Sequence, residues 1–132
     1  MTDNTVEVGA AGTLEWTIEA EDCIRRGDYD IFSTPRMVAV IEWAAIQGLA
    51  PYLAEDQESV GTRVDVAHLA ASLLGQKVTV EWKITAASGR RVSFEVAVAD
   101  EQEAIGRAEH DRFIVDIPVL EKRLQNKRSS LS

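Results

Sequence analysis

The chain has 132 residues, 45% hydrophobic and 27% charged, and its 22 acidic and 14 basic side chains leave a net charge of −8. That length suits one hydrophobic core and is too short for two domains with a cleft between them. The composition excludes wholesale disorder, and the negative balance argues against a general nucleic-acid or anionic-membrane binder.

The single cysteine, Cys23, forms no internal disulfide, rules out a cysteine-based zinc site and fits a reducing compartment. Met1 to Ala10 is polar and acidic and lacks the features of a signal peptide. The longest apolar run, Met37 to Ile41, falls well short of the roughly 18 residues of a membrane span. These features predict a soluble cytoplasmic protein.

In chain order, Gly12 to Ala20 alternates, with Leu14, Trp16 and Ile18 on one side and Glu15, Thr17 and Glu19 on the other, as in a half-buried strand. Glu21 to Phe32 has no clear period and reads as an irregular connection with one short helical turn. Thr34-Pro35 then reads as a helix start, threonine as N-cap and proline in the first turn, with the helix running to about Gly48 or Leu49. Val38, Ile41, Ala45 and Leu49 form its apolar stripe, and Glu42 stands inside that stripe, where a carboxylate needs a partner.

Past the acidic link Glu55 to Glu58, Val60 to Ala70 alternates, placing Val60, Thr62, Val64, Val66 and His68 on one face and Gly61, Arg63, Asp65 and Ala67 on the other. Lys77 to Ala86 and Arg91 to Ala99 alternate likewise and read as a hairpin through Ser88-Gly89. Ala104 to Asp116 reads as a last strand, Val119 to Leu124 as a short helix and Gln125 to Ser132 as a frayed polar tail. The expectation is an α+β domain over residues 1–124, with about five strands, the last four in an antiparallel meander, against one long helix.

The chain has no Gly-x-Gly-x-x-Gly, P-loop, Gly-x-Ser-x-Gly or His-Glu-x-x-His, so nucleotide-fold, serine-hydrolase and zincin readings lack their motifs, and no metal or cofactor is expected. Three polar residues stand out. His68 shares a face with apolar strand residues, Glu42 interrupts the helix stripe, and Thr34 brings a hydroxyl to a helix start where backbone N–H groups are free. Each also has a structural reading, as a satisfied core histidine, a stripe-edge carboxylate and a simple cap. On one regular helix Thr34 and Glu42 are about 12 Å apart at ~1.5 Å per residue, so they serve different ends of a pocket or a site built from two chains.

Thr34-Pro35-Arg36-Met37-Val38-Ala39-Val40-Ile41-Glu42-Trp43-Ala44-Ala45, then Ala50-Pro51-Tyr52-Leu53, Val60-Gly61-Thr62 and Val66-Ala67-His68 resemble the fluoroacetyl-CoA thioesterase family of hotdog proteins. The resemblance continues through Gly75, Val78 to Glu81 and Gly89-Arg90-Arg91-Val92-Ser93-Phe94. It implies a hotdog fold, a sheet wrapped around one helix, in a homodimer or higher oligomer that hydrolyses an acyl-CoA or similar thioester. It further implies that Thr34, Glu42 and His68 are catalytic and that Gly61 lies close to the substrate. The family's lid before the threonine is longer and carries aromatics. Here that connection is only Asp22 to Phe32, so fluoroacetate selectivity does not carry over with the resemblance.

Coenzyme A, as part of the substrate, brings phosphates that an acidic protein must meet with a local basic patch. Arg90 and Arg91 beside the hairpin turn are the candidates, with Lys77 and Arg112 behind them. Two other readings stay open. One is a hotdog protein that binds an acyl thioester or small ligand without turning it over. The other is a hydratase, against which Asp65 lies on the strand face opposite His68.

Overall fold

The computed structural model describes residues 5–131, so part of the N-terminal expectation lies outside the described residues. Strands β1 (Ala11–Thr17), β4 (Gln57–His68), β5 (Lys77–Ser88), β6 (Arg91–Ala99) and β7 (Ala104–Asp116) form one antiparallel sheet in the order β1-β5-β6-β7-β4. Only β5, β6 and β7 make a meander. β4 lies beyond β7 at one edge and β1 closes the other, so the expected four-strand meander is corrected to three strands flanked by non-sequential neighbours.

Helix α1 (Thr34–Leu49) crosses the sheet and packs on β1, β4 and β5. Its buried residues are Met37, Val40, Ile41, Ala44, Ala45, Gly48 and Leu49, and they meet Val78, Val80, Ile84, Val92, Phe94, Val96 and Val98 from the inner face of the sheet. Apolar burial of this kind contributes about 25 cal/mol per Å². Gly48 lets the helix approach closely, since a Cβ there would stand 3.0 Å from the Trp82 ring.

The segment expected to be irregular is ordered. A 3-10 turn at Ala20–Asp22 leads into a hairpin of β2 (Cys23–Arg26) and β3 (Tyr29–Phe32) with Gly27-Asp28 at its tip. Its residues carry no apolar alternation because most of them face water.

The helix start is also one residue off. Ser33 is the N-cap of α1 and its Oγ accepts from the Arg36 N–H, so Thr34 is the first helical residue and its hydroxyl is free for another partner. At the other end, Ala50–Tyr52 continues α1 as a 3-10 turn around Pro51. The expected short helix at Val119–Leu124 is longer, and as α2 (Ile117–Ser129) it takes in most of the polar segment read as frayed.

Candidate active site

His68 ends β4 and Thr34 begins α1, so the fold joins a strand terminus to a helix terminus. Thr34 Oγ1 lies 2.8 Å from His68 Nδ1. The tautomer sets whether the hydroxyl or an Nδ1–H is the donor in this contact, and the ring's other nitrogen stands apart from it. That atom, Nε2, is buried without a hydrogen-bond partner among the described residues. Burial holds the imidazole below its ordinary pKa, with the Ala70 backbone opposing the shift, so His68 is neutral at physiological pH.

Glu42 projects from the second half of the helix and is 37% exposed. Its partner is Arg112 on β7, only 3% exposed, whose Nη1 donates to Glu42 Oε2 at 3.4 Å. Arg112 also donates through Nε to Ser59 Oγ at 2.8 Å and through Nη2 to the Ser59 carbonyl at 2.9 Å. A buried guanidinium needs such a set of acceptors, and the carboxylate supplies the countercharge. Burial pulls Arg112 below its ordinary pKa and Glu42 opposes that shift.

His110, fully buried, completes the cluster. Its Nδ1 lies 2.8 Å from the Arg63 carbonyl, which can only accept, so Nδ1 carries the proton and Nε2 accepts from Arg112 Nη1 at 3.1 Å. Burial, more than the neighbouring Arg112 cation, keeps this imidazole neutral against the Arg63 carbonyl. Arg112 is therefore an internal anchor and is withdrawn as a contact for coenzyme A phosphates.

Gly61 belongs to this second cluster. A β-bulge between Gly61 and Arg63 shifts the register of β4 against β7, so Gly61 stands opposite Arg112 and Val64 opposite His110. The strict alternation read from the sequence is corrected here. Beyond the bulge Gly61 shares the inner face with Val64 and Val66, and Val60 turns outward. A Cβ at position 61 would meet Glu42 Oε2 at 2.5 Å, Arg112 Nη1 at 3.2 Å and His110 Cε1 at 3.3 Å. A methyl at position 61 fits only if the Glu42 carboxylate moves aside.

Within one chain the candidate residues thus fall into two separate groups. Thr34 and His68 form one, and Glu42, Gly61, Arg112 and His110 form the other, seven residues away along β4, or roughly 20 Å at ~3.3 Å per residue. Both flank the same strand, and β4 pairs with β7 on one side only.

Arg90 and Arg91 are at the β5–β6 turn, away from Thr34 and His68. Arg90 Nη2 donates to Asp116 Oδ2 at 2.9 Å, while Arg91 is exposed opposite Phe113. Asp65 is exposed and pairs with Arg63, on the face away from α1. An open groove of about 1370 Å³ on that outer face is lined by charged residues such as Asp65, Glu95, Arg107 and Glu109 and touches none of Thr34, Glu42 and His68.

His110 is the residue that sequence reasoning missed, and Arg112 was read as a phosphate contact and not as the partner of Glu42. The signal was present in β7, where Ala108, His110, Arg112 and Ile114 recur with period two on a buried face. A buried arginine there calls for a carboxylate, and Glu42 was the carboxylate without a partner.

The family model of the fluoroacetyl-CoA-specific thioesterases matches residues 15–117. The fluoroacetyl-CoA thioesterase of Streptantibioticus cattleyicolor is 34% identical over 98 residues, covering 74% of this chain and 70% of that protein. A solved fluoroacetyl-CoA thioesterase structure superposes with a TM-score of 0.87 at 28% identity, covering 93% of this chain and 98% of the other. A variant solved in complex with fluoroacetate and CoA superposes with a TM-score of 0.81 at 29% identity, covering 86% and 98%. A Thermus thermophilus protein described as a thioesterase superfamily member shares the fold, with a TM-score of 0.88 at 23% identity over 96% of each chain. With a five-stranded antiparallel sheet wrapped on one long helix and a profile match across most of its length, the chain belongs to the fluoroacetyl-CoA-specific thioesterase family and is a hotdog-fold thioester hydrolase.

Proposed function

We propose that this protein hydrolyses the thioester bond of a small or medium acyl-CoA, with Thr34, Glu42 and His68 as its catalytic residues and Gly61 beside the acyl group. The observation that carries the reading is the 2.8 Å contact between Thr34 Oγ1 and a neutral His68 Nδ1. Hydrolysis adds water across the carbonyl carbon–sulfur bond, giving a carboxylic acid and free CoA thiol. Glu42 attacks the carbonyl or draws the proton from the water that does, and the buried Arg112 guanidinium beside it fixes the direction of the carboxylate. His68 relays a proton to the departing sulfur, and Thr34 holds the carbonyl or the water in line.

The working unit in this reading is a homodimer in the cytoplasm. Strand β4 has one unpaired edge, and an edge of this length invites pairing. Antiparallel pairing of two β4 strands about a two-fold axis near Asp65 brings the His68 end of one copy beside the Gly61 end of the other. Thr34 and His68 of one chain then face Glu42 of the second. The orphaned His68 Nε2 supports this, since a buried polar atom without a partner awaits a group from outside the chain.

The test is incubation with acyl-CoAs from acetyl to octanoyl, following free thiol and enoyl absorbance together. Thiol release is expected. An absorbance change without thiol would make the protein a hydratase, and neither signal across the series would make it a binding protein.

A further inference from the structure

The turn that joins β5 to β6 and the start of α2 enclose a second cavity of about 290 Å³, lined by Arg90, Phe113, Ile114, Val115, Asp116, Val119, Leu120 and Arg123. We propose that this cleft receives the phosphorylated adenosine of coenzyme A, with Phe113 as the stacking platform and Arg91, Arg123 and Arg90 around the phosphates. The proposal rests on the acyl-CoA reading above and adds to it a place for the nucleotide.

Three independent features point to such a ligand. The first is the floor of the cleft. Phe113 is 41% exposed on the outer face of β7 and belongs to an exposed apolar patch with Val60 and Val119, the kind of surface that marks a binding site. Val60 on β4 and Arg91 on β6 stand directly opposite it on either side, so an apolar residue and a guanidinium flank the ring in one cross-strand row. Val119 adds a second exposed apolar wall from α2. A flat aromatic base stacks on a ring bordered in this way.

The second feature is charge. The whole chain has more acids than bases, yet α2 (Ile117–Ser129) carries Lys122, Arg123, Lys127 and Arg128 against the single acid Glu121. No carboxylate lies within ion-pair distance of Arg91 or Arg123 among the described residues. Positive charge concentrated at one corner of an acidic protein attracts a polyanion to that corner.

The third feature is pre-organisation. Arg90 is held by Nη1 donating to the Ile114 carbonyl at 3.2 Å and Nη2 donating to Asp116 Oδ2 at 2.9 Å. Gln57 Nε2 donates to the other oxygen of Asp116 at 3.1 Å. The Asp116 charge at the rim is thereby taken up, and the remaining N–H groups of Arg90 keep a fixed direction at little entropic cost.

Position completes the argument. Phe113 and Val60 are each next in sequence to Arg112 and Gly61, which touch Glu42. The nucleotide cleft is therefore on the outer side of the same strand ends whose inner side holds the Glu42 carboxylate. A pantetheine arm passing this edge of the sheet would connect the two.

The test is calorimetric titration of the full chain with CoA, and then with adenosine 3′,5′-bisphosphate, for wild type, Arg123→Glu and Val119→Trp. Arg123 and Val119 are exposed, so both variants are expected to keep the fold, with circular dichroism as the check. Arg123→Glu should weaken CoA about tenfold or more, Val119→Trp should block the cleft, and the bisphosphate should compete with CoA. Adenosine without phosphate and inorganic phosphate alone should each bind more weakly than the bisphosphate. Equal CoA affinity in all three proteins, or no CoA binding to wild type, would overturn the proposal. Its failure is separable from that of the catalytic reading. Thiol release that is indifferent to Arg123 removes only the cleft, and CoA binding without thiol release from any acyl-CoA removes only the catalysis.

Discussion

Thr34 Oγ1 and His68 Nδ1 lie 2.8 Å apart although 34 residues separate them, and the contact exists because α1 begins where the last residue of β4 ends. If this pair works as proposed, His68→Ala lowers kcat by about 100- to 10,000-fold, the range for loss of a general acid–base group. Thr34→Ser should retain far more activity than Thr34→Val. The acid limb of kcat/KM should lie below the ordinary imidazole value of about 6.5, because burial disfavours the imidazolium. An acid limb well above neutrality would remove a neutral His68 from the proton relay.

The proposed sharing of the site between two chains leads to a complementation experiment. Glu42→Gln and His68→Ala should each be inactive alone. Mixed and allowed to exchange subunits, half of the dimers carry one variant of each kind, and one of their two sites combines an intact His68 with an intact Glu42. Activity should return to about a quarter of wild type, as the two-fold symmetry of an isologous dimer requires. No recovery after proven exchange would mean that each site lies within one chain.

Gly61→Ala tests the glycine. Its backbone is not in the left-handed region, so the effect is steric alone. The methyl would lie 2.5 Å from Glu42 Oε2, and a half-exposed side-chain end can swing away cheaply. Melting temperature should change little while kcat falls by tenfold or more, of the order expected for displacing one catalytic group by about 1 Å. A large loss of stability with full specific activity in the folded fraction would contradict this.

His110 makes stability depend on pH. In the folded protein its Nδ1–H faces the Arg63 carbonyl and its Nε2 accepts from Arg112, an arrangement that protonation breaks. Its pKa is below the unfolded value, so its contribution is complete above about pH 6.5 and is lost as pH falls through that value toward the folded pKa. Thermal unfolding should show a lower Tm at pH 5 than at pH 7. His110→Gln should be less stable at pH 7 and should lose less on acidification.

Asp22 ties the Thr34 end of α1 to β1. Fully buried, it accepts from Trp16 Nε1 at 2.9 Å, the Glu19 N–H at 2.9 Å and Arg36 Nε at 2.8 Å, while its carbonyl accepts from the Ser33 N–H at 3.0 Å. Burial pushes its pKa up, and these donors outweigh it and hold the carboxyl below the usual range. Asp22→Ala should cost about 2 kcal/mol in urea unfolding, less than a fully buried pair because Arg36 is partly exposed. It should also lower kcat by loosening the residues on both sides of Thr34.

Local chemistry made much of this protein legible without coordinates. The alternation in β5, β6 and β7 marks strands because one face of each meets the core, and the apolar stripe of α1 marks the helix that covers them. Thr34, Glu42 and His68 stood out because polar groups on apolar faces need partners. Which partners they have was decided only by tertiary structure. Nothing local to β4 tells that it pairs with β7, and that pairing with its bulge is what turns Gly61 inward toward Glu42. Nothing within α1 tells that Glu42 meets Arg112, 70 residues away, or that Thr34 leaves the capping role to Ser33 and is free for His68. The initial limit of 132 residues with a net charge of −8 also acquires a spatial meaning. A chain this short places Thr34 with His68 and Glu42 with Gly61 at opposite ends of one edge strand, and an acidic chain still gathers basic residues on α2, because periodicity depends on neighbours in sequence whereas ion pairs and sites depend on neighbours in space.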